Sequence, residues 1–443
     1  MNVDPPLDPE VWPSHLRWWI EARFGMSLHL GPYSVAGRGE WVRSVERLSV
    51  AEYQRYVDDF VPEPGWAVQW AAAARKAGAR YAVLTTKHHD GFCLFDSALT
   101  DYTAPRSAAG RDLVAEWVEA VRGEGLAVGL YYSLVDWHHP DYPAWGDRQH
   151  PLRDDPDSRQ RDERCEWSRY VEYLHGQLLE LCSNYGRIDL LVVDFSYGDY
   201  RDEKWGSEVI QKRIRQLQPS ILFNDRWGRE PRKRIPRPAW AGDFEQTEQN
   251  LPREGLRDQS GSPMPWEGWF TLTNAWSHSN TDRAWKSSRA IVRALVNCVS
   301  KNGNLLLNSS PTARGYLEAE ASQILSEVGA WLSRNGESIY GAYAAGLPKP
   351  EWGRFTRRGN FLYAHILDEP IGHVSLPGLR GKLCDGRLVA TSAEVVLCDF
   401  WNPEVQTFDE PDDTFFNFAH PVAWTYPLPD PLDTVVRFRE VVP

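Results

Sequence analysis

The sequence predicts an α/β fold: a (β/α)8-like barrel followed by a small C-terminal β-sandwich. Three observations lead there. Short, continuous apolar runs alternate with amphipathic helical stretches over the first three-quarters of the chain. No GxGxxG or GxxxxGK(S/T) loop follows an early strand, which removes the usual reason for an open nucleotide-binding sheet. After Tyr343 the helical period stops and short alternating stretches take over.

Strand-like runs occupy residues 24–30, 81–86, 126–132, 188–193 and 221–223, with a late one at 305–307. Each is bounded by glycine or polar residues, and continuous apolar character suits strands covered on both faces, as in a parallel sheet. Helical patterns lie between them. Residues 112–122 place Leu113, Val114, Trp117, Val118 and Val121 on one stripe and stop near Gly123 and Gly125. Residues 167–182 repeat the device with Trp167, Val171, Leu174, Leu178 and Cys182, ending before Gly186. Residues 285–299 and 318–334 do so again. The stretch GLPKPEWGRF then reads as a bridge, so the predicted division is a barrel unit over 1–345 and a sandwich over 346–443. The sandwich strands are expected near 361–366, 393–398 and 434–438, the last after Pro427, Pro429 and Pro431.

The chain has 443 residues, 42% of them hydrophobic, enough for a sizeable core. Its 61 acidic against 49 basic residues leave a net charge of −12, the wrong sign for a nucleic-acid partner and a fit for a neutral or cationic substrate. The 21 tryptophans serve either a core or a cleft in which sugar rings stack on indoles. Cys93, Cys165, Cys182, Cys298, Cys384 and Cys398 form no CxxC pair and read as core thiols of a reducing compartment. The opening MNVDPPLDPEVWP has no basic or apolar leader segment, so a cytoplasmic location is expected. No run of 18 apolar residues exists, so no membrane span is expected.

In a parallel barrel, chemistry gathers at the C-terminal ends of the strands. Polar and aromatic residues follow the apolar runs repeatedly: His29 and Tyr33, then Glu40-Trp41; Lys87, His88, His89 and Asp90; Tyr131, Ser133, Asp136 and His138-His139; Asp194; and Asn224, Asp225, Arg226 and Trp227. Asp194 closes the run IDLLVVD, where an unpaired carboxylate is costly to bury. It reads either as a carboxylate satisfied by a neighbouring strand or arginine, or as a reactive group held at a barrel rim. The adjacent histidines of TTKHHDGF could order a loop, bind hydroxyls or hold a metal. No HxH or HExxH pattern accompanies them, and a metal site would need His138-His139 to converge on them.

Taken together, ARFGMSLHLGPYSV, GEWV, YAVLTTKHHDGFCLFDS, GRDLVAEWVEAVRGEGLAVGLYYSLVDWHHPDY, YGRIDLLVVDF, FNDRWG, GDFEQTEQ, PWEGWFTLTNAWSH and SKNGNLLLNSSP resemble glycoside hydrolase family 29, the retaining α-L-fucosidases. The stretches keep family order across roughly residues 15–345. The resemblance implies a (β/α)8-like catalytic domain with a C-terminal β-sandwich, release of terminal α-L-fucose by double displacement, and no cofactor or metal. It implies Asp194 as nucleophile and a sugar pocket drawn from His29, Glu40, Trp41, His88, His89, Tyr131, Arg226 and Trp276. On this reading His88 and His89 bind sugar hydroxyls. The acid/base stays open between Glu248 of GDFEQTEQ and Glu267 of PWEGWF, with Asp243 and Glu245 in the same region.

The chain departs from the family pattern in places. Val192 stands where tryptophan is usual, Phe195 where glycine follows the nucleophile, and Leu30 where the family reads HWG. Smaller groups at Val192 and Leu30 are expected to leave room for a hydroxymethyl, which brings α-L-galactosides or α-L-glucosides into consideration. A non-catalytic sugar-binding protein and a metal-dependent hydrolase are the readings of other classes.

Overall fold

The structure is a computed structural model and describes residues 12–195, 202–228, 238–398, 412–416, 418 and 427–441. The leader reading of the first eleven residues lies outside the described residues.

Eight parallel strands form the first sheet: β1 (Phe24–Leu28), β2 (Tyr81–Lys87), β3 (Ala127–Ser133), β4 (Leu190–Asp194), β5 (Leu222–Phe223), β6 (Glu245–Glu248), β7 (Trp266–Thr271) and β8 (Gly303–Asn308). Their order is β5-β4-β3-β2-β1-β8-β7-β6. An isolated parallel bridge from Asn224 to Phe244 joins the two ends and closes the barrel. The six apolar runs read from sequence are β1–β5 and β8. Strands β6 (EQTE) and β7 (WEGWFT) carry polar residues on their inward face and have no apolar run to betray them.

The helices read at 112–122, 167–182, 285–299 and 318–334 are Leu113–Gly123, Trp167–Asn184, Ser288–Val299 and Ala319–Asn335. Two of them start on side-chain caps: Asp112 accepts from the amide of Ala115 at 2.8 Å, and Ser287 from that of Ala290 at 3.2 Å. Further helices, Val50–Asp58, Trp66–Lys76 and Ser207–Leu217, complete the outer layer. Among the described residues only a 3-10 turn, Ala239–Ala241, lies between β5 and β6, and no helix lies between β6 and β7.

Helix Ser14–Ala22 closes the N-terminal end of the barrel. Its Trp19 ring lies 4.4 Å from Phe244, and Asn304 donates to the Trp19 carbonyl at 2.7 Å. Above this plug the interior is filled by Tyr81, Val83, Tyr131, Leu190, Val192, Leu222, Trp269 and Leu306. The opposite, C-terminal end is left for chemistry.

The C-terminal region is wholly antiparallel. A six-stranded sheet runs Glu394–Val395, Leu383–Leu388, Thr434–Glu440, Phe361–Ile366, Gly353–Arg358, Tyr343–Ala344. A three-stranded sheet runs Val374–Leu376, Thr414–Phe416, Leu397–Cys398. Their inner faces share one core, with Phe416 and Phe438 meeting across it at 5.4 Å. The outer face of the large sheet meets the barrel, where Trp331 donates to the Asp433 carbonyl at 2.9 Å and Thr356 to that of Ser338 at 2.8 Å. All six cysteines are free, and no described helix is long and apolar enough to cross a membrane.

Candidate active site

Asp194 is the last residue of β4, and its carboxylate faces a crowd of donors. Oδ1 accepts from Arg226 at 2.6 Å and from the amide of Phe195 at 2.9 Å, while Oδ2 accepts from the Tyr131 hydroxyl at 2.9 Å. Burial alone would push this carboxyl up, but the Arg226 guanidinium outweighs it and holds the group below the usual carboxylate range. The second fork of Arg226 reaches Glu248, the last residue of β6, at 2.8 Å. One guanidinium therefore bridges the two carboxylates. Asp194 is largely covered, with 13% of its side chain exposed, whereas Glu248 is open at 43%.

Three histidines crowd the same end of the barrel. His29 Nδ1 lies 2.9 Å from Asn308 Oδ1, and the Asn308 amide nitrogen donates to the Trp276 carbonyl at 2.6 Å. The amide oxygen is thus an acceptor, so His29 carries its proton on Nδ1 and leaves Nε2 with a lone pair. His89 Nδ1 meets Ser133 Oγ at 2.6 Å, and that hydroxyl donates onward to the Val135 carbonyl at 2.7 Å, which sets the same tautomer. Burial pushes His29 down to about 4 and His89 to about 3, and lowers His88 strongly as well, so all three are neutral at neutral pH. His88 and His89 touch at 4.0 Å between ring centroids, and His88 stacks on Tyr131 at 5.8 Å. Among the described residues the buried His88 Nδ1 has no hydrogen-bond partner.

Two aromatic groups flank this centre. Trp276 and Trp269 pack on His29 at 5.4 and 5.8 Å. On the other side the half-buried Trp41 contacts His89 at 5.0 Å and Phe195 at 5.4 Å. Glu40 is buried and accepts from the amide of Ser277 at 3.0 Å. Burial raises its carboxyl above the ordinary value.

The structure thus brings together Asp194, Glu248, His29, His88, His89, Tyr131, Arg226, Trp41 and Trp276, with Glu40 beside Trp276 through Ser277. It does not bring Glu267 to them. Glu267 is the second residue of β7, at the plugged end. Tyr81 donates to one of its oxygens and Gln246 to the other at 2.9 Å. Trp269, two residues further along the same inward face, is the residue whose ring lies 5.8 Å from the Arg226 guanidinium. Asp243 is also engaged elsewhere, held by Arg215 at 2.8 and 2.9 Å and accepting from the amide of Phe223 at 2.7 Å. Glu245 begins β6, at the end away from Glu248.

Among the described residues no group of three or more His, Cys, Asp or Glu could hold a metal ion. His138 stacks on Tyr102 at 3.8 Å and His139 packs on Tyr173 at 4.4 Å, so the second histidine pair does not converge on the first. Lys87 turns away from the pocket to a buried ion pair with Asp136 at 3.0 Å.

The departures read from sequence fall differently than expected. Leu30 is buried in the layer between barrel and helices and frees no space in the pocket. Val192 lies one step beneath Asp194, in a layer that Trp269 and Tyr131 fill. Phe195 takes φ 75°, a left-handed conformation that favours glycine, and places its ring 4.4 Å from His89.

Two carboxylates bridged by an arginine, ringed by neutral histidines and indoles at the mouth of a parallel barrel, are the equipment of a glycoside hydrolase. A family model described as alpha-L-fucosidase matches residues 7–337, and the chain belongs to that family. Alpha-L-fucosidase isoenzyme 1 from Paenibacillus thiaminolyticus is similar in structure, with a TM-score of 0.92 and 49% identity, covering 97% of this chain and 99% of that one. Human tissue alpha-L-fucosidase is 29% identical over 400 residues, 83% of this chain and 78% of that protein. A GH29 alpha-L-fucosidase from Bacteroides thetaiotaomicron, solved as a trapped covalent intermediate, shares the fold at a TM-score of 0.80 and 23% identity, covering 100% of this chain and 98% of that one.

Proposed function

We propose that this protein releases terminal α-L-fucose from glycosides by double displacement, with Asp194 as nucleophile and Glu248 as acid/base. The observation that carries the assignment is the Arg226 bridge. Bonds of 2.6 and 2.8 Å from one guanidinium hold Asp194 and Glu248 close to each other at the open end of the barrel. The fork allows no more than roughly 8 Å between the bonded oxygens, and a retaining pair works at about 5–5.5 Å.

Asp194 Oδ1 is occupied by two donors and Oδ2 by Tyr131 alone, so Oδ2 is the oxygen that attacks C1. Its ionised state at neutral pH follows from the depressed carboxyl. As the C1–O bond breaks, Glu248 gives its proton to the departing oxygen. The glycosyl ester removes the charge on Asp194; Glu248 then takes a proton from the water that attacks C1 as the C1–Oδ2 bond breaks and Asp194 leaves as a carboxylate. The exposure of Glu248 suits a group that meets both leaving group and water.

The neutral histidines bind hydroxyls. Nε2 of His29 and of His89 accept, and His88 supplies a further imidazole. Trp276 and Trp41 offer apolar faces to the ring, and Glu40 braces the Trp276 segment. The Phe195 ring beside His89 adds an apolar surface that suits the methyl of a 6-deoxy sugar.

Two measurements test this. Asp194→Asn is expected to abolish cleavage of 4-nitrophenyl α-L-fucoside, and 2-deoxy-2-fluoro-fucosyl fluoride is expected to label Asp194 in the wild-type enzyme. Full turnover by the variant, or a label on another residue, would end the assignment. Faster hydrolysis of the α-L-galactoside than of the fucoside would move the substrate to the hydroxymethyl sugar.

A further inference from the structure

Strand β5 is two residues long and pairs with β4 only at Leu190 and Leu191. Among the described residues, Val193, the residue before the nucleophile, thus meets no strand on that side. The side chain of Asn224 takes the missing place. Its Oδ1 accepts from the Val193 amide at 3.0 Å, and its Nδ2 donates to the Val193 carbonyl at 2.8 Å. One fully buried amide makes both bonds that a neighbouring strand would have made. On the other side of β4, Ser133 lies opposite Asp194, and Leu134 donates to the Asp194 carbonyl at 2.9 Å.

Asn224 is itself held. Its backbone bridges Phe244, and its Nδ2 lies 3.4 Å from Gln246 Oε1. Gly242, at φ 80°, passes so near the Asn224 carbonyl that any side chain there would collide with it. Arg215 and Asp243 tie down the preceding residue through the amide of Phe223.

We infer that Asn224 is a positioning residue for the nucleophile, its side-chain amide standing in for a strand and setting the height and heading of Asp194 on the barrel rim. The inference rests on Asp194 being the nucleophile. It gives the Asn of FND a task separate from that of Arg226 two residues on, which touches the carboxylate directly.

Misplacing a reacting group by about 1 Å costs on the order of 10²-fold in rate. Asn224→Ala in the full chain is therefore expected to lower kcat on 4-nitrophenyl α-L-fucoside by about 100-fold, with KM within about threefold. Rates are counted per site titrated with 2-deoxy-2-fluoro-fucosyl fluoride, so that unfolded protein does not enter. Asn224→Asp gives a second readout. Ionised, its carboxylate repels the Val193 carbonyl; protonated, it accepts and donates as the amide does. Its kcat relative to wild type is expected to rise by roughly tenfold from pH 7.5 to pH 5, because burial keeps such a carboxyl protonated well above its usual range.

Alanine activity within threefold of wild type per titrated site overturns the proposal. So does a pH-independent Asp/wild-type ratio. An Asn224→Ala protein that cannot fold also counts against it, since the amide then serves the fold and not the carboxylate. None of these outcomes touches the assignment of Asp194, which the Asp194→Asn and labelling experiments decide separately.

Discussion

Replacing Arg226 by methionine removes the charge that keeps Asp194 ionised while keeping an unbranched apolar stem in its place. The size of the effect follows from the contact. At a charge separation of about 4 Å and an effective dielectric of about 20, the attraction is roughly 4 kcal/mol. That equals about 3 pKa units, an upper figure because the same guanidinium also serves Glu248. A rise of about 1–3 units is expected. Asp194 acts as a carboxylate, so activity is present above its pKa and is lost as pH falls through it. Raising that pKa moves the acidic limb of the kcat/KM profile upward by the same amount.

The assay is kcat/KM on 4-nitrophenyl α-L-fucoside from pH 3.5 to 9, since this substrate does not titrate in that range. Arg226→Lys separates charge from shape. A lysine keeps the positive charge but cannot fork to both carboxylates. The acidic limb should then stay within about half a unit of wild type, while kcat still falls. An acidic limb that does not move in Arg226→Met, or that moves downward, would refute the claim that Arg226 sets the state of Asp194.

Other outcomes follow from the same geometry. Glu248→Gln should cut kcat/KM by about 10²–10⁴-fold for an alkyl or sugar leaving group and far less for 2,4-dinitrophenol, which departs unprotonated; equal losses on both would remove Glu248 from the acid/base role. Glu267→Gln should keep kcat/KM within about threefold. Burial lifts the Glu267 carboxyl to about 7, so the folded state holds a proton that the unfolded chain releases. Wild-type stability should therefore decline from about pH 4.5 to about pH 7, by roughly 3 kcal/mol, and the glutamine variant should lack that slope in urea titrations. Parallel slopes would show that Glu267 does not titrate there. Among the described residues, Lys87→Met leaves buried Asp136 with only the amides of His138 and His139 as donors. A cost of about 3–5 kcal/mol and a melting temperature lower by roughly 3–5 °C are expected; an unchanged melt would mean the pair is neutral to stability.

Much of the fold was legible because strands covered on both faces write continuous apolar runs, as in YAVL of β2 or LLVV of β4. The two missed strands show the limit of that signal. In β7 the inward positions are Glu267, Trp269 and Thr271, because the interior near its ends is polar, and β6 ends on the exposed Glu248. The rim residues were legible for a related reason: Asp194 and Tyr131 sit at the ends of strands whose apolar runs mark where they end. Glu248 and Glu267 belong to the two strands without such runs, so nothing in the sequence said that one closes its strand and the other opens its own. Asn224 was visible as a polar residue after a run, but its work depends on β5 stopping two residues in, which no local pattern announces.

The two inward carboxylates of Asp194 and Glu267 show how little separates a reactive group from a structural one in this barrel. Both are covered by protein, and burial pushes both upward. Each accepts from a tyrosine hydroxyl, Tyr131 in one case and Tyr81 in the other. What differs is the other side-chain partner. Asp194 has a guanidinium, which offsets the desolvation and leaves it charged; Glu267 has the neutral amide of Gln246, which does not. Position along the strand decides which partner is within reach, since Arg226 follows β5 at the open end and Gln246 lies near the start of β6 at the plugged end. A carboxylate at the rim is thereby an ionised nucleophile, and one at the floor is a titrating core residue. Moving the guanidinium's charge, as in Arg226→Met, should make the first behave more like the second.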